Sequence, residues 1–366
     1  MLTFFYFFFM VVKAMAVNSP FEFFLQWHLT ERCNLSCQHC YQSGRGGAEL
    51  TLAEIGAVAA EAAEMVQEWE RLYAVVIERS CNVTGGEPLL RRDLDAILAV
   101  LGEAGFALDL LSNGTLIDAA AAQRLAQQGV RGVQISLEGP QIIHDQIRGA
   151  GSYQAALGGC RHLREAGLAV SFNVTLSRLN APYLEEIVAL AATVGVTRVG
   201  FARLVPAGQG ALLRQEMLAA EEVADIYRRL FALAVPGVQV VTGDPVAAQL
   251  RAGASVTPVA SGGAPCGGCA AGVSGLTLLA DGTLLPCRRL EVPLGNVRRH
   301  SLREIWATSP VLRQLRTQSL YHGKCASCAL WNGCRGCRAI AYACSATGGQ
   351  PGDYLASDPQ CFIAGG

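Results

Sequence analysis

Short apolar runs alternate with longer amphipathic stretches from Phe21 to about Leu204. "FFLQWHL", "SCNVTGGEP", "ALDLLSNG", "GVQISLEG", "VSFNVTL" and "TRVGFARL" carry the near-continuous apolar character of strands buried on both faces. The stretches between them repeat at helical spacing. "TLAEIGAVAAEAAEMVQEW" opens on Thr51 and Glu54 at capping-box spacing, and "RDLDAILAVLGEAG" closes on glycine. "DAAAAQRLAQQ", "YQAALGGCRHLREAG" and "PYLEEIVALAATVG" complete the set. Strand–helix alternation of this kind predicts βαβ units on a parallel sheet. Six strands are too few for a closed eight-stranded barrel, so the expected fold class is α/β, a partial (β/α)6 TIM-like barrel.

Polar residues gather where these strands end: Glu87, Ser112 with Asn113, Ser136 with Glu138, Asn173, and Arg203. In α/β barrels that rim holds the ligand. The pattern changes near residue 237. Helical periodicity fades and Gly and Cys rise. The expected division is an N-terminal extension over 1–20, a barrel over 21–236, and a small cysteine-rich domain over 237–366. The apolar run from Met1 to Val12 is shorter than the ~20 residues a membrane span needs. It lacks the basic flank of a signal peptide. The extension reads as a mis-called start, with Met10 or Met15 the expected one, and an interfacial anchor is the alternative.

Net charge is −1, from 29 basic and 30 acidic residues. That balance gives no electrostatic case for nucleic acid or an anionic membrane surface. The 14 cysteines matter more. Repeated Cys-x2-Cys spacing in a long α/β chain points to metal rather than disulfides, and iron–sulfur chemistry suits a reducing, cytoplasmic setting.

Cys33, Cys37 and Cys40 lie at Cys-x3-Cys-x2-Cys on the loop after the first strand. Three thiolates can hold three irons of a [4Fe–4S] cube and leave the fourth iron open. A zinc site completed by His39 or His28 is the other reading of the same residues. This loop, followed by "GGEP" (Gly85 to Pro88), "SNGT" and "SLEG", resembles the radical S-adenosylmethionine (SAM) superfamily. The resemblance implies that SAM chelates the open iron and is cleaved reductively to a 5′-deoxyadenosyl radical, which abstracts hydrogen from the substrate. It also implies site roles. Glu87 would accept the cofactor's ammonium, with Gly85 and Gly86 allowing close approach. His39 would sit near the adenine. Ser136 and Arg148 would serve the methionine carboxylate, and Asn113, Glu138 and Asn173 the ribose or backbone. Asn113 before Gly114 is equally a common turn pair.

The later cysteines resemble a SPASM domain with two auxiliary [4Fe–4S] clusters. Fifteen residues separate Cys266 from Gly282 and four separate Gly282 from Cys287; Cys325-x2-Cys328-x5-Cys334-x2-Cys337 and Cys361 follow. By that resemblance Cys266, Cys269, Cys287 and Cys337 hold one cluster, and Cys325, Cys328, Cys334 and Cys361 the other. Paired zinc knuckles use similar spacings. Cys81, Cys160 and Cys344 remain as apolar packing groups.

Similar proteins of this type mature peptides. The expected function is hydrogen abstraction from a ribosomally made peptide, giving a thioether or carbon–carbon crosslink or an epimer. The expected partners are that peptide, a flavodoxin, ferredoxin or reductase as electron donor, and a separate leader-recognition protein. Sulfatase maturases usually carry aspartate after the cysteine matching Cys287; Arg288 stands there instead, which disfavours that activity. "FARLVPAGQG" resembles a segment of haem-biosynthetic enzymes, so tetrapyrrole modification is the enzymatic alternative. A non-catalytic iron–sulfur scaffold is the third reading.

Overall fold

The computed structural model describes residues 21–42, 44, 46–251, 265 and 267–363. The N-terminal extension and Cys266 lie outside them. Ten strands form one sheet in the order β10-β9-β8-β1-β2-β3-β4-β5-β6-β7. The six expected strands are its centre, all parallel: β1 (Phe21–His28), β2 (Ile77–Thr84), β3 (Ala107–Ser112), β4 (Val130–Ser136), β5 (Ala169–Leu176) and β6 (Arg198–Arg203). The end strands do not pair with each other, so the barrel stays open.

Helices α1 (Leu52–Tyr73), α2 (Leu94–Glu103), α3 (Ala119–Gln127), α4 (Gln141–Arg148), α5 (Ser152–Glu165), α6 (Leu184–Thr193) and α7 (Ala220–Ala232) follow the strands. The Thr51–Glu54 capping box forms as expected, and α1 buries Ile55, Ala59, Ala62, Met65, Val66 and Trp69 along one stripe. Helix α4 was not legible. Its eight residues, "QIIHDQIR", bury only His144 and Ile147, too little for a periodic signal.

Both sheet edges are extended by residues past the barrel series. β7 (Gln239–Val241) adds in parallel to β6. β8 (Gly275–Leu278) pairs in parallel with β1, and β9 (Thr283–Leu285) and β10 (Gly295–Asn296) follow antiparallel. Trp306 of the later half and Trp69 of α1 both meet Phe23 of β1 edge-on, with centroids 5.3 and 5.4 Å away. The cysteine-rich region is thus hydrogen-bonded and packed onto the barrel.

That join has a polar clamp. Arg203, 1 % exposed at the end of β6, donates to both oxygens of Asp244 at 2.6 and 2.9 Å. It also donates to both oxygens of Asp358, at 3.1 and 2.8 Å, and to Gln360 at 2.8 Å. Arg203 therefore ties the strand rim to the segment carrying Cys361.

Candidate active site

The Cys33–Cys40 loop leaves β1 at the C-terminal edge of the sheet and is fixed from four sides. Leu29 N–H donates to the Thr84 carbonyl at 2.9 Å. Arg91 donates to the carbonyls of Leu29 and Leu50 at 2.9 and 3.1 Å while Asp93 holds its guanidinium. Gln38 N–H donates to the Ile147 carbonyl at 2.9 Å, tying the loop to the end of α4. Asn34 bonds Asn113 and Thr115 on the turn after β3 at 2.9 and 2.8 Å.

Gly85 and Gly86 explain themselves here. Gly86 N–H donates to Thr30 and Glu87 N–H to Arg32, at 2.7 and 2.8 Å. A Cβ on Gly86 would stand 2.2 Å from the Arg32 carbonyl oxygen, and one on Gly85 2.5 Å from that of Thr30. The glycines allow the glycine turn and the start of the cysteine loop to touch backbone to backbone. Gly86→Ala is expected to cost about 1–3 kcal/mol by forced displacement and to lower iron bound after reconstitution. Iron content and the urea midpoint, measured together, check this. Gly208 and Gly210 do the same on the other flank: a Cβ on Gly208 would meet the carbonyls of Cys40 and Gln42 at 2.7 Å, and Gly210 N–H donates to Cys40 at 3.1 Å. The "RLVPAGQG" segment braces the cysteine loop.

Cys33, Cys37 and Cys40 border one cavity of about 880 Å³. Gly85, Gly86, Asn113, Ser136, His39, Arg148 and Asn173 line it with them, as does Arg203. Of the polar strand ends, Ser112, Asn113, Ser136, Asn173 and Arg203 reach this one cavity, while Glu87 and Glu138 lie buried behind its lining. Burial pushes the Cys37 thiol up to about 11, against the Arg148 charge; burial likewise raises Cys33. Such thiols are weak acids alone and good ligands once a metal displaces the proton. Among the described residues no three Cys, His, Asp or Glu side chains close on a single-ion position. Three thiols bordering a wide cavity fit a multi-iron cluster with one free corner.

Two buried carboxylates organise the rim. Glu138 is 0 % exposed. It accepts from Arg148 at 2.6 Å, His39 at 3.0 Å and the Thr175 N–H at 2.9 Å. Burial would raise its carboxyl, but Arg148 and His39 outweigh burial and hold it well below the usual carboxylate range. Arg148 also points a nitrogen to Cys37 Sγ at 3.7 Å. Glu87, also 0 % exposed, accepts from Ser112 Oγ at 2.9 Å, Asn113 N–H at 2.9 Å and Leu89 N–H at 3.3 Å. Burial still lifts it to about 7. Glu87 joins the β2 and β3 ends beneath the cavity; Ser112 and Asn113 reach the lining and Glu87 itself does not. Arg91, Gln42 and Arg289 were not named from the sequence, and Arg288 was named only as a departure from the sulfatase-maturase pattern. Gln42 bridges His28 and the Gly85 carbonyl at 3.1 and 2.6 Å. Only the doubled arginine after Cys287 could have been noticed.

The later cysteines meet several buried partners, with Cys269 near both Cys337 and the Cys325–Cys334 stretch. Gln249 reaches Cys361 at 3.3 Å and Cys334 at 3.7 Å, and Arg338 reaches Cys325 at 3.8 Å. Cys325 feels both Cys361 and Cys328 electrostatically. Cys337 feels Cys269, and Arg289 feels Cys337 and Cys287. Cys269 N–H donates to the Cys334 carbonyl at 3.1 Å. All described cysteines are free thiols. Cys81 and Cys160 are buried in the core, and Cys344 lies 3.9 Å from Met217 Sδ.

A cysteine-lined cavity on an open α/β barrel, with further cysteine groups packed beside it, defines an iron–sulfur enzyme class. Residues 27–191 match the radical SAM superfamily model, and 269–337 match the SPASM iron–sulfur cluster-binding domain. The chain is 31% identical over 360 residues to the AdoMet-dependent heme synthase of Nitratidesulfovibrio vulgaris, covering 95% of this chain and 94% of that one. It is 32% identical over 324 residues to mycofactocin maturase MftC of Mycobacterium ulcerans, covering 85% and 81%. Among solved structures, Streptococcus suis SuiB bound to S-adenosylmethionine has a TM-score of 0.68 at 16% identity, covering 87% of this chain and 74% of that one. Native anSMEcpe with bound AdoMet has a TM-score of 0.66 at 17% identity, covering 92% and 94%. The chain belongs to the radical SAM superfamily, with a SPASM region, in a group that includes peptide maturases. It is an enzyme type that uses SAM and iron–sulfur clusters. Among the described residues no helix is long and apolar enough to cross a membrane.

Proposed function

We propose that this protein is a maturase that abstracts a hydrogen atom from a ribosomally made peptide. The carrying observation is the lining of the cavity. Its walls mix polar side chains, Ser36, Gln38, Gln42, Gln134, Thr175 and Gln209 among them, with an apolar share of similar extent from Leu35, Leu111, Val205, Leu212 and Leu213. A peptide brings backbone donors and acceptors to the polar groups and side chains to the apolar ones, so such mixed walls suit it. The relationship to the mycofactocin maturase and to a PqqA peptide cyclase supports the same reading.

Cys33, Cys37 and Cys40 would hold a [4Fe–4S] cluster with SAM on the open iron. When bound, that pair supplies a carbon radical able to take an unactivated hydrogen. The chain's own residues then position and exclude water. Arg148, fixed by Glu138 and His39, would present a cation beside Cys37. Ser136, Asn113 and Asn173 would offer hydrogen bonds from three strand ends. Glu87 would keep the floor rigid through the carboxylate it shares with Ser112 and Asn113; it lies behind the lining, which leaves the ammonium contact expected of it without a direct route. Residues 21–236 would carry this chemistry. The segment 237–366 would hold two auxiliary [4Fe–4S] clusters, with Cys266, Cys269, Cys287 and Cys337 on one and Cys325, Cys328, Cys334 and Cys361 on the other. An external flavodoxin or ferredoxin would supply electrons, and a separate protein could carry the peptide's leader.

The test is an intact mass after anaerobic co-expression with the short peptides encoded beside the gene, in deuterated water. Loss of two hydrogens signals a crosslink; gain of one deuterium signals epimerisation. No change with any peptide defeats the reading. Cys334→Ala is expected to keep most 5′-deoxyadenosine formation while losing peptide product, because its thiol serves the distant group. Full product formation by the variant would remove the auxiliary cluster from the reaction.

A second reading has its own support. Heme synthases match at 29–31% over 93–95% of the chain. A carboxylate-bearing tetrapyrrole would then be the substrate, and binding of hemin to the reconstituted protein separates the two.

A further inference from the structure

Four arginines line the main cavity: Arg148, Arg203, Arg288 and Arg289. Two are neutralised, Arg148 by Glu138 and Arg203 by Asp244 and Asp358. Arg288 and Arg289 are not. Arg288 donates to the amide oxygen of Gln26 at 2.9 Å and stands over the Tyr41 ring at 5.9 Å. Arg289 donates to the Arg203 carbonyl at 3.0 Å, and its Nε–H is shut off from solvent without a partner. Among the described residues no carboxylate forms an ion pair with either, and the remaining residues contain no Asp or Glu. Glu31 is the single acidic residue on the cavity wall.

The positions are equally specific. Both follow Cys287 directly, Arg288 bonded to Gln26 of β1 and Arg289 to the end of β6. His28 behind them stays neutral, lowered to about 3 by burial and then by Arg288. Arg289 feels the Cys337 and Cys287 thiols first and Asp244 after them, and Glu31 and Glu291 border a small pocket beside both arginines without an ion pair to either. Buried or half-buried arginines in fork geometry select planar oxyanions.

We infer that Arg288 and Arg289 form an anchor for a carboxylate of the substrate, holding it between the Cys33–Cys40 loop and the Cys287 group. The inference rests on the radical-site reading and deepens it: the substrate is anionic near the carbon that reacts. An acidic side chain or C-terminus of a peptide would supply that carboxylate, and so would a tetrapyrrole propionate.

The test uses the reconstituted holoenzyme with SAM. The probes are the neighbouring short peptides, each paired with a twin in which Asp and Glu become Asn and Gln and the C-terminus is amidated, and hemin paired with its dimethyl ester. At least one carboxylate probe is expected to bind about tenfold or more tightly than its neutral twin. Arg288→Gln and Arg289→Gln should each erase that preference, and Arg289→Lys should restore part of it. Which pair shows the preference identifies the source. Iron content and the change in the cluster's electron-paramagnetic spectrum on adding SAM should stay as in the wild type. Equal binding of every charged and neutral twin by the wild type overturns the anchor. So does a variant that keeps the preference, or one whose only change is lost iron, which would make the pair a counter-charge for the auxiliary cluster. A wild type that makes no 5′-deoxyadenosine under dithionite would instead defeat the radical reading, and the binding comparison would still decide the anchor.

Discussion

Cys37→Ala is expected to abolish SAM cleavage. Cys37 is the buried member of the three-thiol loop, with Arg148 at 3.7 Å from its sulfur. Its neighbours cannot replace it. Cys33 is exposed and already bonded by the Leu35 N–H, and Asn113 lies 3.9 Å from its sulfur. Changes one shell outside a metal typically cost ~10–100-fold. Loss of a ligand to the open-corner cluster should exceed that, so 5′-deoxyadenosine should fall by more than about a hundredfold. The measurement is product formation under dithionite with iron quantified beside it. Retained cleavage would show that the loop does not hold the reactive cluster. Serine in place of alanine should recover little, since a hydroxyl at this depth ionises less readily than the thiol.

Arg203→Met should have the largest effect on stability. The variant removes a cation that five hydrogen bonds fix between Asp244, Asp358 and Gln360. Two carboxylates would remain buried, at 9 % and 2 % exposure, without a counter-charge. Breaking a buried pair from one side costs about 3–5 kcal/mol. Asp358 also accepts the Cys337 N–H at 2.7 Å, and its carbonyl accepts the Cys361 N–H at 3.0 Å. The loss should therefore loosen the backbone around both Cys337 and Cys361, the residues proposed to serve the two auxiliary clusters. The urea midpoint should drop and auxiliary iron should leave first. The comparison is Arg178→Met, which breaks the exposed Arg178–Glu222 pair and should change little. Equal effects from both variants would mean that the Arg203 clamp does not hold the two regions together.

The roles divide between sequence and tertiary structure for physical reasons. Local pattern was enough for the six central strands, for α1 with its capping box and for the order of the motifs. Each of these depends on residues adjacent in the chain: period, cap and spacing. The cysteine loop and the polar strand ends were legible for the same reason, and the barrel rule placed them together. What sequence could not supply depends on side chains far apart in the chain. Glu87 turned out to be bonded by Ser112 and Asn113 beneath the cavity. Arg148 was named by resemblance, but its short helix showed no period and its pairing with Glu138 was settled only by the fold. β8 joined β1 across roughly 250 residues, a pairing no local signal encodes. Gly85 and Gly86 were expected to make room for a cofactor, and the fold shows that they make room for Thr30 and Arg32. By itself the sequence determined the chemistry the protein can assemble, because thiol spacing and strand period are local. Tertiary structure decided which charges remain unpaired on the cavity wall, Arg288 and Arg289 among four arginines, because pairing is settled only when distant elements meet.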